Sequence, residues 1–205
     1  MLRTILVPGV EEAGETVVDA VKDYIDQHLS TVSAMCEQAE QIELGIDLCA
    51  RALQRGNKLL LCGNGGSAGD AQHIAAELVG RLVHDRKALP AIALTTDTSA
   101  LTAIANDYGY EAVFSRQIEA LASEGDVLVA ISTSGNSVNV NLACRRAAEL
   151  GCATLALSGK GGGELLELAD LALVVPADET AHIQECHIVL GHLLCAGIES
   201  RLGLA

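Results

Sequence analysis

His73, Glu77 and Arg81 follow one another at four-residue intervals in a stretch that reads as helix. At 3.6 residues per turn, members four apart are rotated by only ~40°, so the three side chains share one side. An imidazole and a carboxylate one turn apart offer two ligands to a single divalent cation, and the guanidinium beyond them could pair with a carboxylate or a substrate. A solvated helix face with one ion pair has the same spacing. Upstream, Cys62-Gly63-Asn64-Gly65-Gly66-Ser67-Ala68-Gly69-Asp70 opens into that helix. Its first three glycines let backbone N–H groups converge on an anion, with Ser67 placed as N-cap. No Lys-Ser/Thr follows, which excludes a Walker A loop. Gly63 to Ala68 fits GxGxxG/A, but dinucleotide binding needs an acid ~20 residues on. The acid after the next strand is Asp97, 34 residues past Gly63.

A second turn, Ser132-Thr133-Ser134-Gly135-Asn136-Ser137, sets four hydroxyls around one glycine. Hydroxyls and helix N-terminal amides suit the three oxygens of a phosphate monoester. The last helix carries Gln184 and His192. His192 stands among Leu and Gly, where a charged group is costly, so taken alone it reads as a hydrogen-bonded core residue. His28, His84, His182 and His187 lack a partner motif and read as surface or structural.

The elements that position these residues follow from periodicity. Residues 1–12 read as a loose arm and residues 14–54 as one or two helices, with Val17, Val18, Val21, Tyr24, Ile25 and Leu29 at helical spacing. From residue 58 to 202 short apolar runs alternate with helical stretches. The runs 58–62, 91–95, 127–133, 153–158 and 171–175 have the length of strands buried on both faces. Helices are expected near 68–84, 98–106, 110–123, 137–150, 162–169 and 180–202. Such alternation predicts an α/β fold with a mostly parallel sheet and one domain over 1–205. Ligands of such sheets sit at the carboxyl ends of the strands, where both turns fall.

Composition limits the partners. The chain is 50% hydrophobic and 20% charged, which excludes low-complexity disorder. With three Tyr, one Phe and no Trp, it lacks stacking platforms for single-stranded nucleic acid. A net charge of −14 repels nucleic acid and anionic lipid. A phosphorylated metabolite therefore needs a local site that overcomes the field. The seven cysteines (Cys36, Cys49, Cys62, Cys144, Cys152, Cys186 and Cys195) are odd in number, form no CxxC and lie mostly in apolar runs. They read as buried, reduced thiols. No apolar run nears the ~18 residues of a membrane span, and a cytoplasmic location is expected.

Together, CGNGGSAGDAQHIAAELVGR, AIANDYG, FSRQIEAL, GDVLVAISTSGNS and TAHIQECH resemble the sugar isomerase (SIS) domain family, and within it the sedoheptulose 7-phosphate isomerase branch. The likeness covers about residues 30–200. It implies a doubly wound five-stranded parallel sheet flanked by helices, a homotetramer with interfacial active sites and one Zn2+ per site. By the family pattern the metal ligands map onto His73, Glu77, Gln184 and His192. Substrate contacts map onto Asn64, Gly65, Gly66, Glu77, Asn106, Asp107, Ser132, Thr133, Ser134, Ser137 and Gln184, with Ser67 and Arg81 also lining the site. Glu77 and His192 match the acid/base pair. Ala181 departs from some isomerases, which have an acid there.

The activity implied is aldose–ketose isomerisation of D-sedoheptulose 7-phosphate to D-glycero-D-manno-heptose 7-phosphate through an enediolate. That is the first step of nucleotide-activated heptose biosynthesis, for lipopolysaccharide, capsule or glycoprotein. The same fold also serves as a non-catalytic module that binds a replication initiator or senses phosphosugars, and as an isomerase of other sugar phosphates. A pure binder has no need of His73, Glu77, Gln184 and His192 together.

Overall fold

The computed structural model describes residues 16–205. The arm expected at 1–12 lies outside them. Helix α1 (Val17–Ala34) starts where the Thr16 hydroxyl accepts the Asp19 N–H at 3.2 Å. Its apolar side is real but uncovered: Val17, Val18, Val21, Tyr24, Ile25 and Leu29 are all exposed. A short 3₁₀ turn, Met35–Gln38, leads into α2 (Ala39–Gln54).

Five parallel strands follow: β1 (Leu59–Gly63), β2 (Ala91–Ala93), β3 (Val127–Ser132), β4 (Ala153–Ser158) and β5 (Leu171–Val174). Their order is β2-β1-β3-β4-β5. Interleaved are α3 (Gly66–Val79), α4 (Thr98–Tyr108), α5 (Ser115–Leu121), α6 (Val138–Glu149), α7 (Leu165–Leu168) and α8 (Thr180–Arg201). Side chains alternate across the sheet with the strand period of two. Leu59, Leu61, Val127, Val129 and Ile131 face a core built with α2, α3 and α8. Leu60, Cys62, Leu128 and Ala130 face the other core, under α5 and α6. The central strands are buried on both faces as predicted, whereas edge strands β2 and β5 are only partly covered. Gln38 guards the β5 edge, donating to the Val174 carbonyl at 2.7 Å and accepting its N–H at 3.2 Å. This takes up the outward-facing groups of one residue at an edge that could otherwise template pairing with another chain.

Several elements are shorter than their periodicity suggested. Strand β2 stops at Ala93 because the Thr96 hydroxyl turns back onto the Ala93 carbonyl. The helix expected at 162–169 shrinks to α7, since Gly161, Gly162 and Gly163 all take positive φ. The helix expected to reach residue 84 ends at Val79. Arg86 closes it there, donating to the carbonyls of Glu77 (2.8 Å), Leu78 (2.7 Å) and Gly80 (3.1 Å). Its guanidinium also pairs with Glu199 of α8 at 2.8 Å, both side chains almost fully buried. The cation thus satisfies carbonyls that a helix end otherwise leaves open, and complements the negative end of the dipole.

Candidate active site

The chain leaves β1 for β2 on one side and returns to β3 on the other, so the order reverses between β1 and β3. A crevice opens outside the carboxyl ends of strands at such a switch. Gly63 ends β1 in register with Ile131 of β3, which places the glycine-rich and serine-rich turns side by side.

In the first turn Gly65, at φ +56°, is the N-cap of α3. The capping role expected of Ser67 is therefore not realised. The helix has already begun at Gly66, and Ser67 is buried within its first turn. Asn64 is held by a reciprocal amide pair. It donates to Asn139 Oδ1 at 2.8 Å and accepts from Asn139 Nδ2 at 2.9 Å, while the Tyr110 hydroxyl donates to its Oδ1 at 3.1 Å. Asn139 and Tyr110 were not among the sequence candidates. Asn139 was detectable only as a polar residue in the first turn after the serine-rich segment.

In the second turn Ser132 and Ser137 hydroxyls lie 2.9 Å apart, and Ser134 Oγ accepts the Asn136 N–H at 3.2 Å. Gly135 takes φ +65°, and a Cβ there would overlap the Gly162 carbonyl. The loop after β4 holds the turn in place, with Leu165 N–H donating to the Gly135 carbonyl at 2.9 Å. Thr133, Ser134 and Ser137 remain partly exposed at the start of α6.

Helices α3 and α8 bring His73, Glu77 and His192 together. His73 Nε2 lies 3.0 Å from His192 Nε2 and 3.3 Å from Glu77 Oε1. One ligand atom from each falls within 4.8 Å of the others. Ligands on one tetrahedral zinc with bonds of ~2.0–2.1 Å stand ~3.3 Å apart, so two imidazoles and a carboxylate in this arrangement fit such an ion. Close approach of the helices is possible because Gly191 faces Ile74, where a Cβ would come within 2.7 Å of Ile74 Cδ1. His192 is exposed rather than in the core. The core histidine is His187, fully buried and 3.1 Å from the Ser158 carbonyl. Burial, opposed by that bond, pulls its pKa down to about 4. One turn before His73, burial outweighs the attraction of that imidazole and pushes the Asp70 carboxyl up to about 6.

The remaining candidates stand apart from this trio. Eight residues at 1.5 Å rise place Gln184 ~12 Å from His192 along α8. It lies against Gly66, where a Cβ would overlap its amide. Arg81 lies beyond the end of α3, exposed and without an ion pair among the described residues. It therefore leaves the helical side it was expected to share with His73 and Glu77. Asn106 and Asp107 are exposed at the end of α4, where Asn106 Nδ2 donates to Asp107 Oδ1 at 2.8 Å. Ala181 is half-buried in the first turn of α8.

A second cluster had no sequence signal beyond two separate i,i+3 and i,i+4 pairs. Of the two roles open to it, surface or structural, His182 takes the second: it is buried and bonds Glu185 together with His28 of α1. Burial raises the Glu185 carboxyl, but bonds from Tyr24, His182 and His28 outweigh it and hold it below the usual carboxylate range.

Residues 23–159 match the SIS domain family, and the chain belongs to it. It is 54% identical over 183 residues to the phosphoheptose isomerase of Aliarcobacter butzleri, covering 89% of this chain and 96% of that one. Its fold superposes on the phosphoheptose isomerase GmhA of Neisseria gonorrhoeae with a TM-score of 0.86 at 44% identity, covering 90% of this chain and all of that one. A phosphoheptose isomerase from Francisella tularensis gives 0.88 at 35% identity over 90% and 99% of the two chains. Within the SIS family the chain falls in the phosphoheptose isomerase group.

Proposed function

We propose that this chain isomerises D-sedoheptulose 7-phosphate to D-glycero-D-manno-heptose 7-phosphate through an enediolate. The observation that carries the reading is the trio His73, Glu77 and His192 gathered by two helices 119 residues apart in sequence. Non-catalytic binding needs no such trio, and the relatives at 51–54% identity carry an enzyme's name.

The cation proposed is Zn2+, held by His73, Glu77 and His192 with Gln184 as fourth ligand. When bound it supplies Lewis-acid polarisation of oxygen on the substrate. Glu77 removes the proton from the carbon beside the carbonyl and returns it to the neighbouring carbon. His192 moves protons on the sugar oxygens. Ser132, Thr133, Ser134 and Ser137, with the first amides of α6, hold the phosphate, and Ser67, Asn64, Gly65 and Gly66 line the adjoining turn. These are short-range hydrogen bonds, so they act despite the net charge of −14. Asn106, Asp107 and Arg81 complete the substrate contacts.

Gln184 and His192 of one chain are two turns apart and Gln184 lies against Gly66, so we infer that the fourth ligand comes from a second copy of the chain. This supports active sites shared between subunits of a homotetramer. The uncovered apolar side of α1 and an apolar groove of about 520 Å³ between α2 and α8 are surfaces on which copies could meet. Among the described residues no helix is long and apolar enough to cross a membrane. We place the enzyme in the cytoplasm as one SIS domain, supplying heptose for lipopolysaccharide, capsule or glycoprotein.

The test is turnover of C5, C6 and C7 ketose phosphates by zinc-replete protein, beside Glu77→Gln. Conversion of the C7 substrate is expected, with a ~10²–10⁴-fold loss in the variant. Full turnover by a folded Glu77→Gln protein removes Glu77 from the chemistry, and no turnover of any ketose phosphate ends the enzymatic reading.

A further inference from the structure

We propose that His28, His182 and Glu185 form a second binding site for a divalent transition-metal cation, separate from the trio on α3 and α8. Glu185 Oε2 lies 2.7 Å from His28 Nδ1 and 3.0 Å from His182 Nδ1. One ligand atom from each of the three residues falls within 4.8 Å of the other two. Two imidazole nitrogens and a carboxylate oxygen are a donor set that zinc accepts, and ligand atoms on one tetrahedral zinc stand ~3.3 Å apart.

Further observations suit a site rather than a plain ion pair. The Tyr24 hydroxyl donates to Glu185 Oε1, the oxygen facing away from the imidazoles. A bond of this kind orients a ligating carboxylate. His182 is 3% exposed and turns its Nδ1 toward Glu185, so a buried imidazole nitrogen faces the cluster. The side chains of His28 and Glu185 are each about one third exposed (32% and 33%), which leaves a route for the ion and room for a water ligand.

The site would act as a staple. Helix α1 has no buried residue. The hydrogen bonds that tie its middle to α8 are those of Tyr24 and His28 to Glu185. An ion bridging His28 to His182 and Glu185 would fix α1 against the first turns of α8, directly beside Gln184. Glu185 and His192 are seven residues apart, ~10 Å along the helix, so the two clusters cannot share one ion.

The experiment is zinc stoichiometry by equilibrium dialysis on full-length wild type, His73→Ala/His192→Ala and His28→Ala, with amide hydrogen exchange over residues 17–34. We expect two equivalents per chain in wild type and one in each variant. We also expect zinc to slow exchange in α1 of His73→Ala/His192→Ala but not of His28→Ala. Glu185→Gln should match His28→Ala, and circular dichroism verifies that each variant is folded. No zinc bound by folded His73→Ala/His192→Ala, or the same stoichiometry in folded His28→Ala as in wild type, overturns the proposal. These readouts do not depend on isomerase activity, so failure of the proposed reaction would leave them interpretable.

Discussion

Replacing Arg86 by methionine would test how the end of α3 is held. The change removes the cation facing Glu199 and the donors that serve the carbonyls of Glu77, Leu78 and Gly80. Both charged side chains are almost fully buried, at 2% and 3% exposure, so solvent cannot take over the carboxylate. Breaking one side of a buried ion pair costs ~3–5 kcal/mol. For 150–250 residues each 1 kcal/mol moves the melting midpoint by ~2–4 °C, so Arg86→Met should melt roughly 6–20 °C lower. The measurement is thermal unfolding followed by circular dichroism at one fixed protein concentration, because association shifts the midpoint. The double variant Arg86→Met/Glu199→Leu should melt above the single one, since it buries no unpaired charge. It should stay below wild type, because the carbonyls still lack their donor. A single variant within ~2 °C of wild type, or a double variant melting below the single one, would refute the reasoning. The Glu77 backbone is part of this cap, so turnover should fall more than the Michaelis constant rises.

Other perturbations separate positioning from anchoring. Gly66→Ala places a methyl on the Gln184 amide, a flexible side-chain end, so activity should drop steeply in a protein whose melting midpoint barely moves; unchanged activity would free Gln184 from any role. Ser134→Ala should raise the Michaelis constant far more than it lowers turnover, and equal effects on both would argue against phosphate anchoring. His187 is held near 4 against its usual 6.5, so its contribution is fully present above pH 6.5 and is lost as pH falls toward 4. That loss amounts to about 3 kcal/mol at 1.36 kcal/mol per unit, and denaturant titrations of wild type and His187→Gln should converge over this range. Asp70, raised to about 6 from 3.8, acts with the opposite sign: its contribution is present below pH 3.8 and is lost as pH rises through 6, so Asp70→Asn should steepen the acid-side decline.

Strand–helix alternation, the two turns and the four-residue spacing of His73 and Glu77 were legible in the chain because each is a local pattern. Backbone periodicity and the φ demands of glycine act over a few residues. Helix ends were read less well. Val79 ends α3 because Arg86 and Glu199 meet there from 113 residues apart, and no local rule contains that pair. The histidines show the same limit. By neighbours alone His192 reads as core, while His182 reads as either surface or structural. His192 stays exposed on the side of α8 where it meets His73, and α1 against α8 covers His182. Asn139 and Tyr110 join the candidate site only because the fold sets Asn64 beside them. The sequence by itself determined the α/β class, the loops at the strand ends and the residue types that could hold a phosphate and a cation. Only the tertiary structure decided which side chains share a space. Burial and ligand distance are properties of helix packing across more than a hundred residues, and no window along the chain records them.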